Sequence, residues 1–291
     1  MRSQAEKAAA FRRLHERPGA FVIPNPWDAG TARLLASLGF EALATTSLGL
    51  ANTLGRPDGA GAVSREEVLD NCRAIASATD LPVTADLENG YAHEPRAAAA
   101  MIRLAAESGV VGGSIEDATG DPVRPIYDYA QAVERVHAAV EVARSLPDRF
   151  LLTARAENLL HGRSDLDDTI RRLQAFERVG ADVLYAPGLR DLATIRTVVG
   201  SVSRPVNVVA SFLDPSITLA QLADLGVKRV SVGGSLSRLA LAALLRGARE
   251  MRGTGGFTWL RDIVPSGELQ ALFSARIAHS EPAPEADSRD R

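Results

Sequence analysis

The sequence predicts an α/β protein of the (β/α)₈ TIM-barrel class with one additional helix near its C-terminal end. Short apolar, β-branched runs recur along the chain, and each is followed by a stretch with the pattern of an amphipathic helix. There are eight such runs. Strict alternation of strands and helices over about 250 residues is typical of a parallel sheet that closes into a barrel. A doubly wound open sheet is the alternative architecture.

The predicted strands also divide the chain into regions. The strands span residues 21–25, 41–47, 82–88, 112–117, 149–157, 181–187, 205–211 and 228–234. We expect a barrel domain over residues 1–252, followed over 253–280 by a glycine-rich hinge and an oligomerisation helix at 266–280. The tail, 281–291, is charged and contains proline, so it is predicted to be disordered.

Composition limits the class of protein. The chain has 291 residues, 46% of them hydrophobic, and a net charge of −3, so we expect a large core and neither nucleic acid nor membrane as a partner. The sequence has no apolar run of about 20 residues and no signal-peptide pattern, which favours a cytoplasmic protein. The one cysteine, Cys72, lies in a helical pattern and is predicted to be a buried small hydrophobe.

Lysine and histidine limit the chemistry further. The only lysines are Lys7 and Lys228, and neither follows a predicted strand, so a lysine-imine mechanism is not expected. The five histidines are scattered and lack the paired spacing of zinc sites. Any metal is therefore expected to have oxygen ligands.

Acidic residues end several of the predicted strands. Asp86 and Glu88 end the third strand, and Glu116 ends the fourth. Active sites of this fold class lie at the carboxyl ends of the strands, and carboxylates gathered there repel one another unless a cation lies among them. We therefore predict a site for Mg²⁺, or for Mn²⁺, at Asp86, Glu88 and Glu116. Each carboxylate could instead cap a helix or pair with an arginine.

Arg155 ends the fifth predicted strand and needs an anion nearby, because a buried unpaired cation is costly. It is predicted to bind a substrate carboxylate, and a structural ion pair with Glu157 or Glu116 is the alternative. Residues at the ends of the second, seventh and eighth strands are the other predicted substrate contacts: Thr46, Ser47, Leu48, Asn207, Gly233 and Gly234. The helix that follows Gly234 could bind an anion at its N-terminus.

Four segments, TTSLGLANTLGRPD, VTADLENGYA, GGSIEDA and LTARAENLLHGR, resemble the isocitrate lyase/phosphoenolpyruvate mutase superfamily, over roughly residues 18 to 250. The resemblance implies that the three acidic residues hold Mg²⁺ directly or through water. It also implies that Thr46, Ser47 and Leu48 bind the carboxylate of a 2-oxo acid and that Asp58 lies close to the reacting carbon. On this basis the predicted catalytic residues are Asp58, Glu116 and Arg155.

The sequence departs from the family pattern in three places. Glu88 replaces the usual second aspartate, and Tyr185 stands where the mutases have a histidine. The loop after the fourth strand lacks both the cysteine motif of the carbon–carbon lyases and the lysine and asparagine of the mutases, leaving Asp121 and Arg124. These departures argue against methylisocitrate cleavage and against phosphonopyruvate formation.

The sequence therefore predicts a magnesium-dependent lyase that acts on a small 2-oxo acid through an enolate, as in oxaloacetate decarboxylation. One alternative is a carbon–phosphorus enzyme, either a phosphonopyruvate hydrolase or a mutase. The other is a barrel that has lost catalysis and only binds a 2-oxo acid. The resemblance also implies a homo-oligomer, a tetramer, assembled through the C-terminal helix, and a helix folded back on its own barrel is the alternative.

Overall fold

The computed structural model describes residues 2–59 and 61–274, and within them eight parallel strands form one sheet. The strands are β1 (Phe21–Ile23), β2 (Leu43–Ala44), β3 (Val83–Asp86), β4 (Gly112–Glu116), β5 (Leu151–Arg155), β6 (Val183–Tyr185), β7 (Val206–Val209) and β8 (Arg229–Ser231). Their order is β1-β8-β7-β6-β5-β4-β3-β2. The Ala44 amide donates to the Pro24 carbonyl at 3.0 Å, so the two edges of the sheet also meet. The barrel prediction is confirmed.

Helices separate the strands, and one precedes β1. They are α1 (Gln4–Glu16), α2 (Ala29–Ser37), α3 (Ser47–Thr53), α4 (Arg65–Ser77), α5 (Pro95–Glu107), α6 (Tyr129–Ser145), α7 (Leu166–Val179), α8 (Leu192–Gly200), α9 (Leu219–Asp224), α10 (Ser235–Gly253) and α11 (Ser266–Ser274). Short 3₁₀ turns span Ala210–Phe212 and Thr258–Asp262.

The strands are shorter than the sequence predicts. The clearest case is β2, which has two residues where the sequence predicts a strand over 41–47. Thr46 is instead the N-cap of α3, and its Oγ1 accepts a hydrogen bond from the Gly49 amide at 3.3 Å. This short extra helix places Ser47 and Leu48 at the barrel mouth.

Helix α1 closes the amino-terminal end of the barrel. Its Phe11 and Leu14 are buried in one apolar cluster with Phe21 and Ile23 of β1, and with residues at the starts of other strands. A second and larger cluster fills the layer between the strands and the surrounding helices. Helix α1 thus covers the amino-terminal end of the barrel, opposite the carboxyl ends of the strands.

The C-terminal region lies outside the barrel. The predicted helix at 266–280 is present as α11 over Ser266–Ser274, which packs near α2, and Arg33 of α2 donates to the Phe273 carbonyl at 2.5 Å. Residues 275–280 and the predicted tail, 281–291, lie outside the described residues. In the part of the chain that the structure describes, no helix has the length and apolar character needed to cross a membrane.

Candidate active site

A cavity of about 240 Å³ opens at the carboxyl ends of the strands. Nine of the predicted site residues line it: Thr46, Ser47, Leu48, Asp58, Asp86, Arg155, Asn207, Gly233 and Gly234. Glu88 and Glu116 are not among the residues that line it. The structure thus brings together the predicted substrate contacts and one of the three predicted metal ligands.

Arg155 is the centre of the ion-pair network beside this cavity. Its Nη1 lies 2.8 Å from Asp86 Oδ1, its Nη2 lies 3.1 Å from Glu116 Oε2, and its Nε lies 2.8 Å from Glu157 Oε1. Burial alone would lower the pKa of Arg155, but the nearby carboxylates outweigh burial and raise that pKa well above its usual value. An arginine has five N–H donors, so two remain free for a ligand.

Strand register explains why these charges meet. In the parallel ladder Glu116 pairs with Arg155, and Arg155 pairs in turn with Tyr185 on the other side. The three residues end adjacent strands, so their side chains emerge together. The Arg155 guanidinium also lies 5.2 Å from the centre of the Tyr185 ring, within range of a cation–π contact.

Both carboxylate oxygens of Asp86 accept hydrogen bonds. Oδ1 accepts from Arg155, and Oδ2 accepts from the Ser47 amide at 3.3 Å. The Asp86 amide donates to Thr45 Oγ1 at 2.9 Å, which fixes the end of β3 against β2. Asp86 therefore couples the start of α3 to the arginine on β5.

Glu88 lies in an unusual turn after β3. Its φ is +47° and that of Tyr91 is +58°, and both values fall in the left-handed region that residues with side chains seldom adopt. The Tyr91 hydroxyl donates to Glu88 Oε1 at 2.6 Å. Burial raises the pKa of Glu88, although the Tyr91 hydrogen bond opposes this. The turn thus aims Glu88 at Tyr91 and keeps it off the cavity wall.

Asp58 comes from the loop between α3 and α4 and lines the cavity, and its place beside the reacting carbon stays a prediction. Burial is the main cause that raises the pKa of Asp58, and the negative charge of nearby Asp86 raises it further. The Ser47 hydroxyl and the Gly59 amide donate hydrogen bonds to it and partly offset that rise. Asp58 therefore faces the same cavity from a loop as Asp86 does from the end of β3.

The predicted anion site before α10 has fewer free donors than expected. The Val232 and Gly233 amides both donate to Asn25 Oδ1 at 2.9 Å. A side chain at Gly234 would collide with Leu48, so glycine is required there for α10 to start next to α3. Sequence reasoning missed Asn25, although this asparagine ends the first predicted strand.

Asn207 lines the cavity, but protein groups occupy both ends of its amide. Arg229 Nε donates to its Oδ1 at 2.8 Å, and its Nδ2 donates to Ser231 Oγ at 3.1 Å. Its role as a substrate contact stays a prediction. Arg229, which sequence reasoning also missed, lines the same cavity.

Other residues of interest lie off the cavity wall. Asp121 and Arg124 belong to a solvent-facing loop that the Ala118–Ile126 bridge closes, and neither lines the cavity. Cys72 is buried in α4, and burial raises the pKa of its thiol to about 12. No lysine or cysteine among the described residues lines the cavity.

A metal ion must fit the site without three direct carboxylate ligands. Over residues 2–59 and 61–274, no three Asp, Glu, His or Cys side chains are placed to hold an ion together. Glu116 is bound to Arg155, and Glu88 is bound to Tyr91. Mg²⁺ commonly takes one or two carboxylates and completes its octahedron with water and substrate oxygens. Asp86 lines the cavity and can supply one such carboxylate, and the ligand set stays a prediction.

A parallel eight-stranded barrel with a buried arginine among carboxylates at its mouth fits the isocitrate lyase/phosphoenolpyruvate mutase superfamily. The chain belongs to the phosphoenolpyruvate phosphomutase family, whose pattern matches residues 11–252. A crystal structure from Burkholderia cenocepacia J2315, described under the broad term lyase/mutase, is 57% identical. It superposes with a TM-score of 0.90, over 94% of this chain and 97% of that chain.

Other relatives are more distant. The oxaloacetate decarboxylase of Ectopseudomonas mendocina is 28% identical, over 86% of this chain and 86% of that protein. The structure of an oxaloacetate acetylhydrolase in complex with its product oxalate is 26% identical, with a TM-score of 0.81, over 93% of this chain and 94% of that chain. An uncharacterized protein of Mycobacterium tuberculosis is 30% identical, over 90% of this chain and 95% of that protein.

Proposed function

We propose that this protein is a magnesium-dependent lyase that decarboxylates a small 2-oxo acid, with oxaloacetate as the leading substrate. The observation that carries the proposal is the meeting of Asp86, Arg155 and the Ser47 amide at one cavity. Among the described residues, no lysine or cysteine lines that cavity to act as a covalent nucleophile. Decarboxylation needs none, because the departing carbon dioxide leaves its electron pair on the substrate as an enolate.

Arg155 is proposed to orient the substrate. Two of its N–H donors remain free after its three carboxylate contacts, and a substrate carboxylate can accept both. The three carboxylates also hold the guanidinium in place before substrate arrives, so little reorganisation is needed. When bound beside Asp86, Mg²⁺ would supply positive charge next to the oxygen that becomes negative.

Asp58 is proposed to handle the proton that completes the reaction. It lines the same cavity as Asp86 and Arg155 and accepts a hydrogen bond from the Ser47 hydroxyl. Loss of carbon dioxide from oxaloacetate leaves an enolate, and protonation at its carbon gives pyruvate. A carboxyl group on the cavity wall can hold that proton and deliver it.

The relatives support oxaloacetate as the first substrate to test. One relative named above is an oxaloacetate decarboxylase, and another protein of the same fold is an oxaloacetate acetylhydrolase with oxalate bound. Both act on oxaloacetate, which carries the 2-oxo acid group that Arg155 and a cation at Asp86 would bind.

Carbon–phosphorus cleavage is the second candidate, because the matched family is named for a phosphomutase. A third possibility is a barrel that binds a 2-oxo acid without turning it over. Purified protein should be assayed with Mg²⁺ against oxaloacetate, phosphonopyruvate, methylisocitrate and 2-oxoglutarate. Pyruvate from oxaloacetate supports the proposal, and phosphate from phosphonopyruvate supports the second candidate. Calorimetric binding of oxalate without turnover of any substrate supports the third.

We also propose that the protein is a homo-oligomer, a tetramer, joined through its C-terminal region. Exposed apolar side chains cluster on α10 and on the turn after it, including Leu239, Leu244, Leu245, Leu260 and Ile263. An apolar surface of this kind is usually covered by another protein surface. The partner we propose for this surface is a second copy of the same chain, which would contact it through the C-terminal helix.

A further inference from the structure

Arg229, the first residue of β8, is a second buried arginine in the barrel, and its side chain is incompletely paired. The residue is 5% exposed, its Nε donates to Asn207 Oδ1 at 2.8 Å, and its Nη2 donates to Thr153 Oγ1 at 3.0 Å. Its Nη1 has no hydrogen-bond partner. Both of its acceptors are uncharged, so the guanidinium has no counter-charge among these contacts.

Arg135 is buried on α6 and donates to the backbone carbonyls of Asn89, Ala92 and His93. Two further arginines beside the barrel mouth are neutralised by carboxylates. Arg155 contacts three of them, and Arg172 pairs with Asp117 at 3.0 Å and with Asp168 at 2.8 Å. A buried charge without a partner is expensive, so such charges are normally paired. Burial lowers the pKa of Arg229 only to about 10, so its side chain remains a cation at neutral pH.

The surroundings of Arg229 offer donors rather than anions. Thr153 Oγ1 and Ser231 Oγ each accept a hydrogen bond from the protein, which leaves each hydroxyl proton free to be donated. His15 is also neutral at pH 7, because burial and the charge of nearby Arg229 lower its pKa to about 3. Arg229, Thr153 and Ser231 all line the cavity that opens at the barrel mouth.

We propose that the floor of this cavity binds a small monovalent anion, held by Arg229 Nη1 with the hydroxyls of Thr153 and Ser231. The anion is either a halide from solvent or a carboxylate at the far end of a ligand, because both bring one negative charge. This inference goes beyond the proposed function, since it depends neither on a metal at Asp86 nor on any reaction.

Bromide soaking of crystals, read by anomalous scattering, tests the site directly. We expect a bromide peak within roughly 3.5 Å of Arg229 Nη1 in the wild type and in the control Arg196→Met, which changes an exposed arginine on α8. The peak should vanish in Arg229→Met. A floor that holds only water in the wild type, or bromide retained unchanged in Arg229→Met, would overturn the proposal.

A malonate soak of the bromide-loaded crystals distinguishes a halide from solvent and a ligand's carboxylate as the source of the anion. Replacement of bromide by one malonate carboxylate identifies the floor as a subsite for a ligand's acidic group, whereas retained bromide identifies an inorganic-anion site. If Arg229→Met does not fold, the broadening of the chloride NMR line by the wild type is compared with that by Arg229→Lys, which keeps the charge. Line broadening by both the wild type and Arg229→Lys supports the anion site, and no broadening by the wild type contradicts the site.

Discussion

Arg155 Nη1 donates to Asp86 Oδ1 at 2.8 Å, and this pair ties the end of β5 to the end of β3. The other oxygen of Asp86 accepts from the Ser47 amide, so one carboxylate touches both predicted carboxylate-binding elements. Only part of Asp86 is exposed, and that part faces the cavity. The pair therefore links the arginine proposed to orient the substrate to the carboxylate proposed to hold the cation.

Replacing Arg155 with alanine should lower kcat/KM by roughly thirty- to a thousand-fold. The variant loses a charge-assisted contact worth about 2 to 4 kcal/mol in the transition state and leaves three carboxylates uncompensated. Steady-state kinetics on oxaloacetate measure the effect. Circular dichroism must show that the variant is folded, and Arg196→Ala on exposed α8 is the matched control. Full activity in folded Arg155→Ala would show that the active site lies elsewhere.

Replacing Cys72 with serine should leave activity intact and reduce the free energy of unfolding by about 1 kcal/mol. The thiol is buried in α4, and burial raises its pKa to about 12, so it does not act as a neutral-pH acid or base. For the same reason methylisocitrate should not be cleaved efficiently, because no thiol is available to protonate the departing dicarboxylate. Coupled kinetics on oxaloacetate and on methylisocitrate measure both activities. Efficient methylisocitrate cleavage, or loss of activity in Cys72→Ser, would contradict it.

Protonation of His15 should destabilise the fold in mildly acidic solution. Burial is the main cause that lowers the pKa of His15 from 6.5 to about 3, and the positive charge of nearby Arg229 is the second cause. The unfolded chain therefore binds this proton more tightly, and the stability provided by the neutral ring is present above pH 6.5 and is lost as the pH falls towards 3. Between pH 7 and pH 5 the wild type should lose about 2 kcal/mol more than His15→Leu. Urea unfolding at both pH values measures this difference, and parallel losses would refute the prediction.

Light scattering at micromolar concentration should give four chain masses for the wild type. Leu244→Glu should dissociate the assembly, because Leu244 is 65% exposed on α10 and a charge there cannot be buried at an interface. Val123→Glu is the control, since Val123 is 85% exposed on a loop away from α10. A monomeric wild type would contradict the proposed oligomer.

The barrel was predictable because its signals are local. Each β-branched run is followed by helical spacing, and the carboxyl ends of parallel strands must share one edge. That logic placed Asp86, Glu116 and Arg155 together from strand position alone, and their contacts in the structure agree with it. Asp58 lies in a loop and follows no such rule, so only the family resemblance pointed to it.

Residues whose roles depend on backbone direction or reach were harder to predict. Glu88 adopts a left-handed conformation that its residue type gives no reason to expect, and this turns it towards Tyr91. Arg229 starts a strand of alternating residues, and alternation shows which residues share a face but not which face lines the barrel. Asn25 contacts amides 207 and 208 residues further along the chain, a distance at which sequence patterns carry no signal.

The central claim is that Asp86 holds a divalent cation on which catalysis or 2-oxo acid binding depends. Its most direct test is calorimetric binding of oxalate to chelator-treated protein, before and after Mg²⁺ is restored. Asp86→Asn is compared with the control Asp70→Asn, whose carboxylate is exposed on α4. We expect binding by the wild type and Asp70→Asn only with Mg²⁺, and little or none by Asp86→Asn. Undiminished binding to the metal-free wild type, or to Asp86→Asn, would contradict the account.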